Sequence, residues 1–445
     1  MIILLGLKLK DMYPLSVETS NTGRGRRHST WLIVGLVLGL LLVAGIIAVV
    51  VHHASGSRDG SNTSCASGPG YEAAKSYFTK SGSRDGSNTS CASGPGYEAA
   101  KSYFTKPASK EKVTISSEDF KPIVQACDGD VDRALLCVAN YIAYDGTETN
   151  EAGRIPRFSP PPAAQHTVVS GYPVGACVLG GKTGTVYIGA NFEFCSRLIE
   201  TIHGEQCAVH NAAVHGEPNI TKLAVNAAPC GVCRQFLVEV GPPEALDVIF
   251  CDNNGKFTSS KLSSLLTSSF GPEDLGPAFK DQTSLTHKEV YPVTTNETDN
   301  GKQQALQMFK QAYAPYTKIP EGIVLKFKNG KTAKGQTIEN AAYNPSISAF
   351  RGACSLAALK GYKMSDLTEI VYARAQPSGM VGGNGCPFDS VTSSFSDVLN
   401  ILSSSHTFPD KGPKITNVVV SLPKDSKASM LAQDVPTVLQ RRLPL

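Results

Sequence analysis

Net charge is scarce in this chain, and long runs of one sign are scarcer still. Across 445 residues, 42 Lys and Arg face 38 Asp and Glu, a formal balance of +4, and no long basic run occurs in the C-terminal three-quarters. That excludes the electrostatic footprint of a protein that binds a nucleic-acid polymer and leaves a small, neutral ligand as the expectation. Cysteine is also thin, at 12 residues, which excludes a disulfide-built scaffold. Cys137, Cys177 and Cys251 lie singly in apolar surroundings, where a buried free thiol is expected. Only Cys230 and Cys233 form a C-x-x-C pair. What is present is globular: 41% hydrophobic and 18% charged residues, in a length that suits two or three domains.

Charge of either sign is missing altogether from residues 31–51, WLIVGLVLGLLLVAGIIAVVV. A helix of that length crosses a hydrocarbon core about 30 Å thick. A cleaved signal peptide is the other reading, but its apolar region is shorter and begins nearer the N-terminus. Arg24, Arg26 and Arg27 precede the span and only Arg58 follows closely, so residues 1–30 are read as a basic cytoplasmic N-terminus of a single-pass membrane protein. Residues 55–80 then recur unchanged at 81–106. Two copies are too few for a solenoid, and their Ser/Gly/Asn-rich first half reads as a flexible stalk over 52–116. The tail of each copy, YEAAKSYF, suits a short helix. A recent duplication or a flaw in the gene assembly explains the repeat better than a functional tandem. If residues 1–106 are such an artefact, the protein is cytosolic. Sequons at Asn62, Asn88, Asn219 and Asn296 are glycosylation acceptors only on a lumenal chain.

From residue 117 the composition becomes globular. Val124, Ala134, Leu135, Val138, Ala139 and Ile142 predict a helical lead-in, and a Pro-rich connection follows. PVGACVLGG and TVYIG read as a hairpin, HGEQCAVHNAAVHG as a helix, LAVNAA as a strand, the segment after Pro229 as a second helix and DVIFCD as a strand. That β-β-α-β-α-β order predicts an α/β fold, a mixed sheet flanked by helices. After a polar linker the order repeats: GIVLKF and GKTAKGQTI as a hairpin, SISAFRGACSLAALKG as a helix, LTEIVYAR as a strand.

The chemistry concentrates at His203, Glu205, Cys230 and Cys233. One imidazole and two thiolates are a catalytic zinc set, with a fourth position left for water. Pro229 opens a helix at the C-x-x-C pair, and a helix N-terminus favours thiolates. Glu205, two residues past His203, is placed to move protons rather than to ligate. A structural zinc site would take four protein ligands and would have no use for this Glu. H-x-E…P-C-x-x-C is the signature of zinc nucleobase deaminases.

On GANFEF (189–194), HGEQ (203–206) and APCGVCRQFLVEV (228–240), the sequence resembles the two-domain, homodimeric class of zinc-dependent cytidine deaminases of bacteria and plants. The resemblance extends over residues 117–425. It implies one zinc per chain on His203, Cys230 and Cys233, with Glu205 as proton shuttle. It implies that Asn191 and Glu193 hydrogen-bond the ribose 3′-hydroxyl, that the Gly204 N–H holds the pyrimidine O2, and that the Ala228 carbonyl accepts from the leaving amino group. Tyr172 stands where the family has a Phe against the pyrimidine ring, or is plain core. Arg234 donates to a ligating thiolate, or is a solvated helix residue. Gly204 replaces a commoner Ala, and Val232 a frequent His. In AFRGACSL, Arg351 falls where a zinc His would be and Ala353 where the Glu would be, so the second half is expected to be zinc-free. The resemblance gives it the dimer interface and closure of the partner's site. The implied layout is a catalytic domain over 117–255, a linker over 256–300 and a degenerate domain over 301–445. The implied reaction is hydrolysis of free cytidine and deoxycytidine to uridine and deoxyuridine with release of ammonia, as in pyrimidine salvage. Cytosine in RNA or DNA, and an inactive zinc scaffold, are the competing readings. The low charge and the Asn191/Glu193 pair disfavour the first, and an intact Glu205 the second.

Overall fold

The computed structural model describes residues 94–106, 112–144, 166–167, 169–194, 198–251, 257–279, 297–317, 319–376 and 413–421. The span at 31–51 and the first repeat copy lie outside them. Among the described residues no helix is long and apolar enough to cross a membrane.

The first half is built on a six-stranded sheet of order β1-β3-β2-β4-β5-β6. Its elements are α1 (Pro95–Thr105), β1 (Thr114–Ile115), α2 (Ser117–Gln125), α3 (Val131–Tyr144), β2 (Gly175–Gly180) and β3 (Val186–Ala190). They continue with α4 (Gly204–Val214), β4 (Ile220–Val225), α5 (Gly231–Leu237), β5 (Asp247–Cys251), β6 (Phe257–Lys261) and α6 (Leu262–Leu265). β2 and β3 form the predicted hairpin, and β4 pairs antiparallel with β2 and parallel with β5, so the sheet is mixed. The helical lead-in is two helices, α2 and α3, split where Asp128 and Gly129 adopt positive φ.

β2 does not alternate buried and open side chains as a one-faced strand would, because helices cover both faces. Cys177 on one face hydrogen-bonds the Leu135 carbonyl of α3. On the other face lies α4, ten of whose eleven residues are buried. A helix that is enclosed all round has no amphipathic stripe, which is why its small residues, rather than any period, mark it in the sequence. Gly189 sets its distance from the sheet: a Cβ there would fall 2.3 Å from the Ala208 nitrogen and 2.4 Å from the Gly204 oxygen.

The folded part begins before residue 117. In α1, the tail of the second repeat copy, Tyr97, Ala100 and Tyr103 are buried, and the helix packs on α2 and α3. The stalk therefore gives way to core by residue 95. The predicted linker likewise starts with sheet: β6 pairs antiparallel with β5. One cysteine expectation also changes, at Cys251, while Cys137 is a free thiol as expected. The Cys127 and Cys137 thiols hydrogen-bond each other, and Cys251 is disulfide-bonded.

The second half contains α7 (Asn300–Gln311), β7 (Glu321–Phe327), β8 (Thr332–Gln336), α8 (Ala349–Leu359), β9 (Leu367–Gln376) and β10 (Lys414–Ser421). Its sheet runs β10-β9-β7-β8, with the predicted β7–β8 hairpin. It repeats the first half closely. Gly335 on β8 meets Ala349 and Ala353 of α8 as Gly189 meets Gly204 and Ala208 of α4. That packing register corrects the predicted alignment. Ser348, the N-cap of α8, corresponds to His203, the N-cap of α4; Phe350 corresponds to Glu205 and Arg351 to Gln206. A hydroxyl and a phenyl ring stand in place of ligand and shuttle.

The halves share one hydrophobic core. Glu239, wholly buried, accepts hydrogen bonds from the Tyr313 and Tyr316 hydroxyls (2.6 and 2.7 Å) and from the Ala341 N–H (2.8 Å). His210 of α4 accepts the Gln336 N–H at Nε2 (3.2 Å) and occupies the space that Gly352 leaves. Burial drops the pKa of both His210 and His166 from 6.5 to about 4. In acid the unfolded chain therefore binds protons that the folded chain refuses. Stability is full above pH 6.5 and falls as pH drops towards 4, by about 3 kcal/mol per histidine. We expect Tm to fall between pH 7 and pH 5, and the His210→Asn variant to show a shallower fall. Equal slopes would remove His210 from this balance.

Candidate metal centre and substrate pocket

Two helix N-termini bring the site together. His203 has extended backbone (φ −78°, ψ 157°) and caps α4, and its N–H donates to Gln206 Oε1 at 3.0 Å. The residue before it, Ile202, is bridged to Phe192 by two backbone hydrogen bonds of 2.8 and 3.0 Å, so the chain enters the site from a fixed strand exit. Cys230 caps α5 (φ −71°, ψ 170°), and Cys233 lies one turn on, fully buried. The approach to Cys230 is held by Asn226, whose side chain accepts the Gly175 N–H (3.0 Å) and donates to the Pro173 carbonyl (3.3 Å).

The ligand atoms of His203, Cys230 and Cys233 all lie within 4.8 Å of one another. His203 Nδ1 and Cys230 Sγ are 3.5 Å apart. Tetrahedral zinc with ordinary Zn–N and Zn–S bonds puts such a pair about 3.6 Å apart, so the donor set fits the ion in type and spacing. The thiols share their protons unequally. Cys230 is pulled down to about 3, first by the hydrogen bond from Cys233 and then by His203. Cys233 is pushed up by burial and by its charged neighbours. The hydrogen bond to Cys230 raises His203.

Glu205 sits in the first turn of α4, 3% exposed, and burial raises its carboxyl pKa; it also contacts the Cys233 thiol. A carboxyl that holds a proton more readily than usual beside such a donor set suits proton transfer. Gly204, buried at the helix start, lacks a Cβ that would fall 2.9 Å from the Val174 oxygen and 3.0 Å from Val174 Cγ1. The commoner Ala would press on the strand entry here. Ala228 is exposed two residues before Cys230, and Tyr172 is half-buried.

Asn191 and Glu193 are both buried and both hold the loop that carries Tyr172. Asn191 accepts the Val174 N–H (2.9 Å) and donates to the Tyr172 carbonyl (3.0 Å). Glu193 accepts the N–H groups of Val169 (2.8 Å) and Ser170 (3.0 Å) and the Ser170 hydroxyl. Glu339 makes the same bonds in the second half, to Tyr316 and Thr317. The carboxylate clamp is thus common to both halves, whereas Asn191 has Thr337 as its counterpart. Arg234 does not turn to a thiolate: it donates to the carbonyls of Pro229 (2.9 Å) and Leu265 (3.0 Å). The sequence reading missed Asn226 and Gln206, whose side chains hold the two ligand-bearing segments. Gln206 ends the HGEQ motif, but only the fold shows what it touches.

Comparison with known proteins finds relatives in sequence. The family model described as the cytidine and deoxycytidylate deaminase zinc-binding region matches twice, at residues 161–248 and 262–380. A cytidine deaminase of Haemophilus influenzae (strain 86-028NP) is 37% identical over 209 residues, which cover 47% of this chain and 68% of that protein. One of Yersinia pestis (strain Pestoides F) is 37% identical over 206 residues, 46% and 67% of the two chains. A crystal structure of cytidine deaminase from Burkholderia pseudomallei aligns at 27% identity, covering 24% of this chain and 87% of that one, with a TM-score of 0.22.

Proposed function

The chain belongs to the cytidine deaminase family, and on that premise we propose that it hydrolyses free cytidine and deoxycytidine to the uridines, releasing ammonia, at the site formed by His203, Cys230, Cys233 and Glu205. The observation that carries this reading is the convergence of three zinc-type donors within 4.8 Å, with the buried Glu205 beside them. Zinc held there supplies a Lewis acid that makes water a nucleophile near neutral pH. Glu205 would take up a proton from the attacking water at its carboxylate and pass protons to pyrimidine N3 and to the departing amino group. The Gly204 N–H, at the positive end of α4, holds the pyrimidine O2. The Ala228 carbonyl orients the amino group, and Tyr172 lies against the ring. Asn191 and Glu193 keep hydrogen-bonding capacity for the ribose 3′-hydroxyl beyond what the loop uses.

Ammonia release decides the matter. The full, zinc-replete chain is expected to release ammonia from free cytidine and not from a short cytosine-bearing oligonucleotide. Release from the oligonucleotide alone would move the substrate to a polymer; release from neither would leave a scaffold.

A homodimer is part of the same reading. Among the described residues, the exposed large hydrophobics are Val169 (47%), Ile199 (80%), Val232 (44%), Phe270 (43%) and Tyr343 (56%). Val232 lies between the two cysteines, Ile199 four residues before His203, Val169 in the clamped loop, and Phe270 against Gln235 of α5. Exposed apolar side chains close in sequence to site residues support a face that a second copy covers. Sedimentation at micromolar concentration should show a dimer that Ile199→Asp with Val232→Asp splits; a monomeric wild type would end this reading. Attachment to a membrane through residues 31–51 is supported by that uncharged run alone. It is tested by pelleting with membranes and by a glycosidase-sensitive mass at the exposed Asn219. A soluble chain of unchanged mass would contradict it.

A further inference from the structure

Gln206 and Arg351 occupy the same place in their halves, the third residue of α4 and of α8. Each reaches into the opposite half, and the acceptors correspond as well. Gln206 Nε2 donates to the Pro345 carbonyl at 2.8 Å, three residues before the Ser348 cap. Arg351 Nε donates to the Glu200 carbonyl at 3.0 Å, three residues before the His203 cap. The arginine adds what the glutamine lacks. Its Nη2 holds the Thr201 carbonyl (3.2 Å), its Nη1 the Ser346 carbonyl (3.3 Å), and its Nε lies 3.2 Å from the Glu200 carboxylate. The side chain is only 13% exposed, so these bonds form largely out of water's reach.

Ile202 is tied to Phe192 on one side, as described above, and Glu200 and Thr201 are tied to Arg351 on the other. His203 is the next residue. From these contacts we propose that Arg351, in the second half, is a positioning residue for the candidate zinc ligand His203. The second half thus serves the site of its own chain, in addition to any part in a dimer. A planar fork can hold two successive carbonyls and a carboxylate at once, which a lysine ammonium on a flexible stem cannot do with the same geometry. Groups that orient a metal ligand typically change metal affinity by about 10–100-fold when removed.

The inference rests on His203 being a ligand, so its test reads zinc itself, without substrate. Zinc transfer from the full chain to the chromogenic chelator 4-(2-pyridylazo)resorcinol is timed for wild type, Arg351→Met and Arg351→Lys. Arg351→Met keeps the aliphatic stem and removes the donors; it should lose zinc about 10-fold faster or more. Arg351→Lys, which keeps the charge facing Glu200, should fall between the two. kcat should drop while KM stays within about twofold, because the nucleoside contacts are untouched. Val371→Ala, in the separate small core with Phe309 and Val324, controls for general destabilisation and should keep wild-type zinc retention at a comparable loss of Tm. The proposal is overturned if Arg351→Met loses Tm yet yields zinc at the wild-type rate, or if Val371→Ala yields it equally fast. If Arg351→Met does not fold, the lysine variant decides by the same readout. A chain that retains zinc but deaminates nothing fails only the reading of function and leaves this test intact.

Discussion

Glu205→Gln is expected to keep one zinc per chain and to lose nearly all turnover. The substitution preserves volume in a position only 3% exposed, so it opens no cavity and removes no ligand. What it removes is the group that can both take and return a proton. A positioned acid or base contributes about 10²–10⁴-fold to a rate, and the proposed role gives Glu205 more than one transfer per cycle, so the loss should lie at the upper end. KM should change little, since the amide occupies the same space. Zinc analysis beside steady-state kinetics checks both halves of the expectation. A variant with near wild-type kcat would show that another group moves the protons. A variant without zinc would show that Glu205 holds the site together rather than turning it over.

Cys230→Ala should lose metal and activity together. Cys230 is exposed while Cys233 is buried, so the change can be made at the solvent-facing ligand with little damage to the core. It removes one of three donors and leaves His203 and Cys233 as an incomplete set. Because ligand binding and local folding are coupled at such sites, Tm should also fall towards that of the chelated wild type. Metal content, ammonia release and a melting curve measured on one preparation test this. Zinc retained at one per chain would mean that some other side chain serves as the third ligand.

The two variants are expected to separate cleanly because two helix caps divide the work. α4 presents one ligand and the shuttle two residues apart, and α5 presents both thiolates one turn apart. Glu205 can therefore be changed without moving the donors, which are anchored by the Phe192–Ile202 bridge and by Asn226.

The convergent donors His203, Cys230 and Cys233 and the hairpin–helix–strand–helix–strand order were legible in the sequence alone, because each depends on spacing along a few residues. His203 and Glu205 share one helical turn, Cys230 and Cys233 another, and alternation or composition marks the strands and helices between them. The rest depended on contacts between residues far apart in the chain. Asn191 and Glu193 belong to a readable motif, but only folding shows that they clamp the loop at 169–174, and that Glu339 does the same in the second half. The alignment of the halves slipped by three residues in the sequence, because AFRGACSL retains no ligand to anchor it; Gly189 and Gly335, each backed by a helix at close approach, restored the register. α1 reads as the end of a stalk because a Ser/Gly/Asn-rich stretch leads into it, and its burial comes from α2 and α3, which follow it in the chain. Arg351 gave no local signal of its task. A guanidinium acts on whatever carbonyls lie within about 3 Å, and only the tertiary fold brings those of Glu200 and Thr201 that close.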